Sequence, residues 1–173
     1  MTNILSKKMG PSYDRLSPLI KELHTGKKVI EGEVNVERGR LLAHFICTLF
    51  RFPKQNHSCP LRVECQHTSD GILWMRNFDG LILNSKFAST GDLLVEQMGP
   101  LRMYFYPVEV GGTLAYEFIK TRIFGIPLPK IISPRIFAVE YELDGKYYFN
   151  VKVTMFAIGK ILAYGGCMEF SPV

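Results

Sequence analysis

The stretch from Phe137 to Phe156, FAVEYELDGKYYFNVKVTMF, decides the fold. Its second arm alternates with a period of two: Tyr147, Phe149, Val151, Val153 and Met155 share one face, and Tyr148, Asn150, Lys152 and Thr154 share the other. Strict alternation of this kind marks a strand with one buried face. Asp144-Gly145, between the arms, is the dipeptide that a tight hairpin turn needs, because both of its central residues take positive φ. The stretch therefore reads as a β-hairpin.

The same rhythm extends outward from it. Leu61, Val63 and Cys65 alternate with Arg62 and Glu64; Ile72, Trp74, Arg76 and Phe78 share a face; Asp79-Gly80 is a second turn, continued by Leu81, Leu83 and Ser85. Leu93 to Met98 ends at Gly99-Pro100, Leu101 to Val110 at Gly111-Gly112, and Thr113 to Phe124 and Ile161 to Phe170 complete the series. Val29 to Glu37 reads as an earlier strand behind a turn at Gly26. Two segments keep helical spacing instead. Leu16, Leu19, Ile20 and Leu23 follow one another with Pro18 in the first turn and Gly26 at the stop. From Arg40 to Phe50 the apolar stripe is so wide that only Ala43, His44, Cys47 and Thr48 interrupt it, which predicts a buried helix rather than one lying on a membrane surface.

About nine or ten short strands that meander without crossover helices make an antiparallel sheet, and one that large curls or closes. The predicted class is α+β: a large antiparallel, strongly curved β-sheet or barrel-like meander with one or two N-terminal helices packed on it. Residues 1–12 are expected to lead in as a flexible segment and 13–173 to form a single domain. Gly125 to Pro134 contains Pro127, Pro129 and Pro134 and cannot be a central strand. This loop is apolar and must cover something: it plugs one end of the sheet, lines a ligand mouth or contacts a protein partner.

Composition bounds the function. With 173 residues, 47% hydrophobic and 21% charged, the chain supports a real core and is neither disordered nor a disulfide miniprotein. The net charge of +5 is spread out with no block of like charges, so no nucleic-acid partner is expected. The longest apolar run, Leu41 to Phe50, is too short to span a bilayer, so no transmembrane segment is expected. Cys47, Cys59, Cys65 and Cys167 match no CxxC or zinc-ribbon spacing, and MTNILSKKMGPSYD lacks a signal-peptide core, which favours a reduced, cytoplasmic protein. His24, His44, His57 and His67 form no HxxxH or HExxH, and no GxSxG or GxGxxG occurs. No metal and no cofactor are expected, no catalytic residue is assigned, and the enzyme question stays open, leaning no.

Several short elements, in order, resemble a bacterial domain family of unknown function. They are Val36-Glu37-Arg38-Gly39, Leu49-Phe50-Arg51-Phe52-Pro53, Trp74-Met75-Arg76-Asn77-Phe78, Glu96 with Gly99-Pro100, Gly125-Ile126-Pro127-Leu128-Pro129, Glu140 with Asp144-Gly145, and Tyr164-Gly165-Gly166. The resemblance covers residue 13 to the end. It implies a domain that occurs alone or fused after the NAD(P)-binding part of saccharopine-dehydrogenase-like proteins, and transfers no established activity.

The residues themselves point to a non-catalytic binding module for a small, largely apolar ligand, lipid-like with an acidic head. Arg76 and Arg38 are the head-group candidates, because an arginine fork suits a carboxylate or phosphate. Trp74, Phe78, Tyr104, Tyr106 and Tyr164 are wall candidates, and Glu96 and Glu140 candidate carboxylates, Glu140 sharing a strand face with Ile136 and Ala138. This holds if the Trp74/Arg76/Phe78 face is interior; if it is exterior, Trp74 and Phe78 make an exposed patch instead. The competing structural reading pairs Arg76 with Glu96 or Glu140 and ties Arg38 to a neighbouring loop. Two other functions remain: a protein-interaction domain using loop 125–134, and a small-molecule enzyme or accessory domain of a dehydrogenase-like protein.

Overall fold

The alternating strands close on themselves. A computed structural model describes residues 3–68 and 70–172. Helix α1 (Ile4–Met9), a 3-10 turn (Gly10–Arg15) and α2 (Pro18–Leu23) lead into β1 (Lys27–Arg38), and α3 (Leu42–Leu49) follows. Then come β2 (Asn56–His67), β3 (Ile72–Phe78), β4 (Leu81–Thr90), β5 (Leu93–Met98), β6 (Leu101–Val110), β7 (Thr113–Ile123), β8 (Ile126–Pro127), β9 (Pro134–Leu143), β10 (Lys146–Met155) and β11 (Gly159–Ser171). The order β6-β5-β4-β3-β2-β1-β11-β10-β9-β7 is closed by β6 pairing with β7, giving a ten-stranded antiparallel barrel to which the short β8 adds on β7. The turns are those the dipeptides dictate: Asp79 and Gly80 take φ of 47° and 90°, Asp144 and Gly145 of 51° and 70°.

An antiparallel meander sends its connections alternately to two ends. One end is stoppered by α1, the 3-10 turn and α2, whose Ile4, Leu5, Leu16, Ile20 and Leu23 are buried. Residues 1–12, read from sequence as a lead-in, thus include a helix that belongs to the core. Asn3 fixes it: its side chain accepts from Ser6 N–H at 2.7 Å and donates to the His24 carbonyl at 2.5 Å, joining α1 to the end of α2.

The other end, the mouth, carries α3, the loop 124–133 and the turn after β10. Here the sequence expectation fails. Helix α3 buries only Ala43 and Cys47; Leu41 is 91% exposed, and Leu42, Phe45 and Leu49 are exposed as well. The physical reason is that the barrel rim meets α3 on its small-residue side, where Cys47 Sγ–H donates to the Ile161 carbonyl at 3.3 Å, and no second layer covers the far side.

Gly39 sets that approach. A Cβ there would sit 1.8 Å from the Lys160 carbonyl oxygen and 2.7 Å from Ala43 Cβ, while Gly39 N–H donates to Ile161 O at 3.0 Å. Gly39→Ala is expected to push α3 off β11 and cost about 1–3 kcal/mol, read as a drop of several degrees in Tm. An unchanged Tm would mean that the junction opens freely.

The outer face of the barrel is charged, with Arg62 paired to Glu31 and, at 3.1 Å, to Glu64, whereas the inner face is largely apolar. That polarity is the reverse of a membrane-spanning barrel, which turns an apolar band to lipid. Among the described residues no helix is long and apolar enough to cross a membrane.

Candidate functional site

Inside the barrel the polar side chains gather in two knots. The first sits at its waist. Arg76 (β3), Ser85 (β4) and Glu96 (β5) come from three successive strands whose register places them diagonally across the inner face. Arg76 Nη1 donates to Ser85 Oγ at 2.9 Å and Nη2 to Glu96 Oε1 at 3.0 Å. The guanidinium carbon lies 5.0 Å from the Trp74 ring centroid, a cation–π contact. Arg76 is only 9% exposed, so the pair is largely withdrawn from water.

The second knot lies nearer the helical stopper. Glu140 Oε2 accepts from His24 Nε2 at 2.8 Å, and Glu140 Oε1 accepts from the Tyr116 hydroxyl at 2.9 Å; Tyr147 donates as well. Burial pushes the Glu140 carboxyl up, but His24 and these hydrogen bonds outweigh it and hold the group below the usual carboxylate range. Burial, reinforced by the Glu140 charge, raises the Tyr116 and Tyr147 hydroxyls well above the ordinary phenol value, so both stay protonated donors. His67 stands edge-on to His24 with centroids 4.9 Å apart, and neither of its nitrogens has a hydrogen-bond partner among the described residues. Burial, then the proximity of His24, drives its pKa down to about 2, so the ring is neutral.

Between and above these knots the barrel is hollow. A chamber of about 80 Å³ is walled by Trp74, Phe87, Phe105, Tyr116, Tyr147 and Phe149. A larger one of about 240 Å³ rises to the mouth, walled by Leu83, Met103, Val153 and Leu162 and roofed by Ile46, Phe50 and Phe52 behind α3 and by Leu128 and Ile132 of the loop. Arg76, Glu96, Ile136, Val151 and Tyr164 line both, so the waist pair stands where the two chambers meet. An aliphatic cavity of about 150 Å³ already accepts a benzene ring. The wall also splays toward the mouth: β7 pairs with β9 only from Leu114 to Glu117, and the loop 124–133 fills the gap beyond.

Of the residues singled out from sequence, Trp74, Arg76, Glu96, Glu140 and Tyr164 face this interior. Phe78 is inside too, packed edge-to-face on Tyr164 at 5.3 Å, but it lines neither chamber. Tyr104 and Tyr106 point outward. On β6 the alternation turns Met103 and Phe105 to the chambers, leaving Tyr104 under Lys120 and Arg122 and Tyr106 exposed to solvent. Arg38 lines neither chamber. Its Nε donates to Pro53 O at 2.8 Å, its Nη1 to Thr48 Oγ1 at 3.3 Å, and its Nη2 to Phe52 O, which staples the chain after α3 onto β1.

Sequence reasoning missed His24, Ser85 and His67. Nothing local marks them, since His24 meets Glu140 across 116 positions. The four cysteines are free thiols, and burial lifts that of Cys65 to about 12. Among the described residues no group of three His, Cys, Asp or Glu side chains is placed to hold a metal ion.

A family model described as a domain of unknown function, DUF4166, matches residues 16–168. The chain belongs to the DUF4166 family. The match runs from the helical stopper through β11, so the DUF4166 unit and the barrel are the same object. No curated protein and no solved structure matches the chain.

Proposed function

We propose that the barrel is a non-catalytic carrier that binds a small, largely apolar molecule inside, entering through the mouth. The observation that carries this reading is the pair of connected chambers, walled by aromatic and aliphatic side chains, that remain open beside the hydrogen-bonded Arg76–Glu96 pair. Such sites are largely preformed and apolar, with a few placed polar groups that orient the ligand.

The head group is refined by the same pair. Glu96 already neutralises Arg76, so a free acid placed beside the guanidinium would also meet the Glu96 carboxylate. An uncharged oxygen, such as a hydroxyl or ester carbonyl, suits the remaining N–H donors better than the acidic head inferred from an isolated arginine. Fusion to a saccharopine-dehydrogenase-like protein, as the resemblance implies, would attach such a carrier to a metabolic enzyme.

The test is native mass spectrometry of freshly purified protein beside a denatured extract. A discrete apolar adduct is expected, and Val151→Trp, which fills the junction of the chambers, is expected to lose it while keeping its circular dichroism spectrum. An adduct that survives in Val151→Trp would place the ligand elsewhere.

A further inference from the structure

The mouth is ringed by apolar side chains that the fold leaves uncovered. Leu42, Phe45 and Leu49 project from α3, Phe124 and Ile131 from the loop, and Phe156, 74% exposed, from the turn after β10. These segments adjoin one another. Pro134, where the loop ends, pairs with Met155, and Lys160, just beyond the turn, abuts Gly39 at the entrance to α3. Ile132 belongs to both worlds: it is half exposed on the rim and lines the upper chamber. The collar is thus continuous with the apolar interior. Exposed apolar patches of this kind, rimmed by polar residues, mark contact surfaces.

Charge says what it contacts. Segments 39–55, 124–135 and 156–160 contain Arg40, Arg51, Lys54, Lys130, Arg135 and Lys160, all exposed, and not one Asp or Glu. Lys160 is paired with Glu37 of β1; the other five are in no ion pair among the described residues. The acids nearest this end are Asp79 on the β3–β4 turn and, on β1, Glu37, which pairs with Lys160, and Glu33, which accepts from Ser58. The stoppered end is mixed instead, with Asp14, Asp92, Glu109 and Asp144 beside Lys8, Arg15 and Lys21. An apolar collar set in a cationic rim complements an anionic lipid surface, where the apolar side chains enter the acyl boundary and the cations meet the head groups.

We infer that the mouth docks on an anionic bilayer, so that the chambers open toward the acyl region. What crosses the mouth rests on the carrier reading above; the docking itself does not. Loop 124–133 and α3 are at once the roof of the upper chamber and the membrane contact, which gives the exchange a direct route between lipid and cavity.

Co-sedimentation with phosphatidylcholine vesicles, with and without phosphatidylserine, tests the inference on the full chain. Binding is expected to the phosphatidylserine vesicles, to weaken at high salt, and to be far lower on phosphatidylcholine alone. Phe45→Asp or Ile131→Asp is expected to reduce it at least about tenfold. Arg51→Ala with Lys130→Ala is expected to reduce it about 25-fold. Leu143→Asp, at an exposed apolar site on the far end, and Val151→Trp, with the chambers filled, are expected to bind vesicles like the wild type. Circular dichroism and the elution volume confirm that each variant folds. No preference for phosphatidylserine, or equal loss in Leu143→Asp, overturns the inference. So does a rim variant that converts a dimer to a monomer, which would make the collar a self-contact. Rim-dependent capture of a protein without vesicle binding overturns it too, as that makes the loop a protein contact. An empty cavity in the mass spectrum alongside normal vesicle binding would defeat the carrier reading and leave the docking intact.

Discussion

Arg76→Met is expected to destabilise the barrel by about 3–5 kcal/mol at neutral pH, the usual consequence of removing one partner of a buried ion pair. The substitution leaves Glu96 facing Trp74 and an apolar chamber with no cation, and strips Ser85 of its 2.9 Å partner. Methionine preserves much of the side-chain length, so the loss reports the uncompensated charge rather than a void. The double variant Arg76→Met with Glu96→Leu is expected to recover most of the stability, because an apolar pair of similar volume often replaces a buried ion pair at little cost. Urea unfolding of the wild type, the single variant and the double variant reads both changes. If the double variant is as unstable as Arg76→Met alone, the waist is held by packing and not by charge pairing.

Between pH 7.5 and 5.5 the protein is expected to lose about 1.4 kcal/mol of stability, and a similar amount for each further unit of acidification. His67 is the source. Burial holds its folded pKa near 2, against about 6.5 in the unfolded chain. Between those values the unfolded state binds a proton that the folded state refuses, so unfolding gains as pH falls; above about 6.5 both forms are neutral and the contribution is constant. Glu140 adds to the acid side only lower down. Its folded carboxyl is held below the ordinary value, so its contribution is complete above the unfolded pKa and lost as pH falls through the folded one. His67→Phe keeps an aromatic ring against His24 and cannot titrate; its urea midpoint should be flat from pH 7.5 to 5.5. A slope that persists in that variant would assign the titration to another group.

The hairpin 137–156 shows how much of the fold lay in local sequence. Alternation told inside from outside on β10, and Asp144-Gly145 placed the turn, because both depend on neighbours only a few residues away. On β3 the period of two put Trp74, Arg76 and Phe78 on one face, but only barrel closure turned that face inward. Where the pattern offered two faces of equal polarity, it was silent. On β6 Tyr104 and Tyr106 look as suited to a wall as Met103 and Phe105, and a shift of one residue exchanges the sets.

Sequence by itself thus determined the class, the strand rhythm and the charge of each face, since these follow from side-chain chemistry and backbone stereochemistry read over short windows. Tertiary structure alone decided which arginine meets which acid, which histidine supports Glu140, and whether α3 turns its leucines in or out. Those outcomes depend on barrel closure, which brings β6 onto β7, His24 to Glu140 and Lys160 to Gly39. An apolar stripe states only that a helix prefers cover. Whether cover exists is a property of the rim, and here the rim protects Ala43 and Cys47 and leaves Leu42, Phe45 and Leu49 in the open.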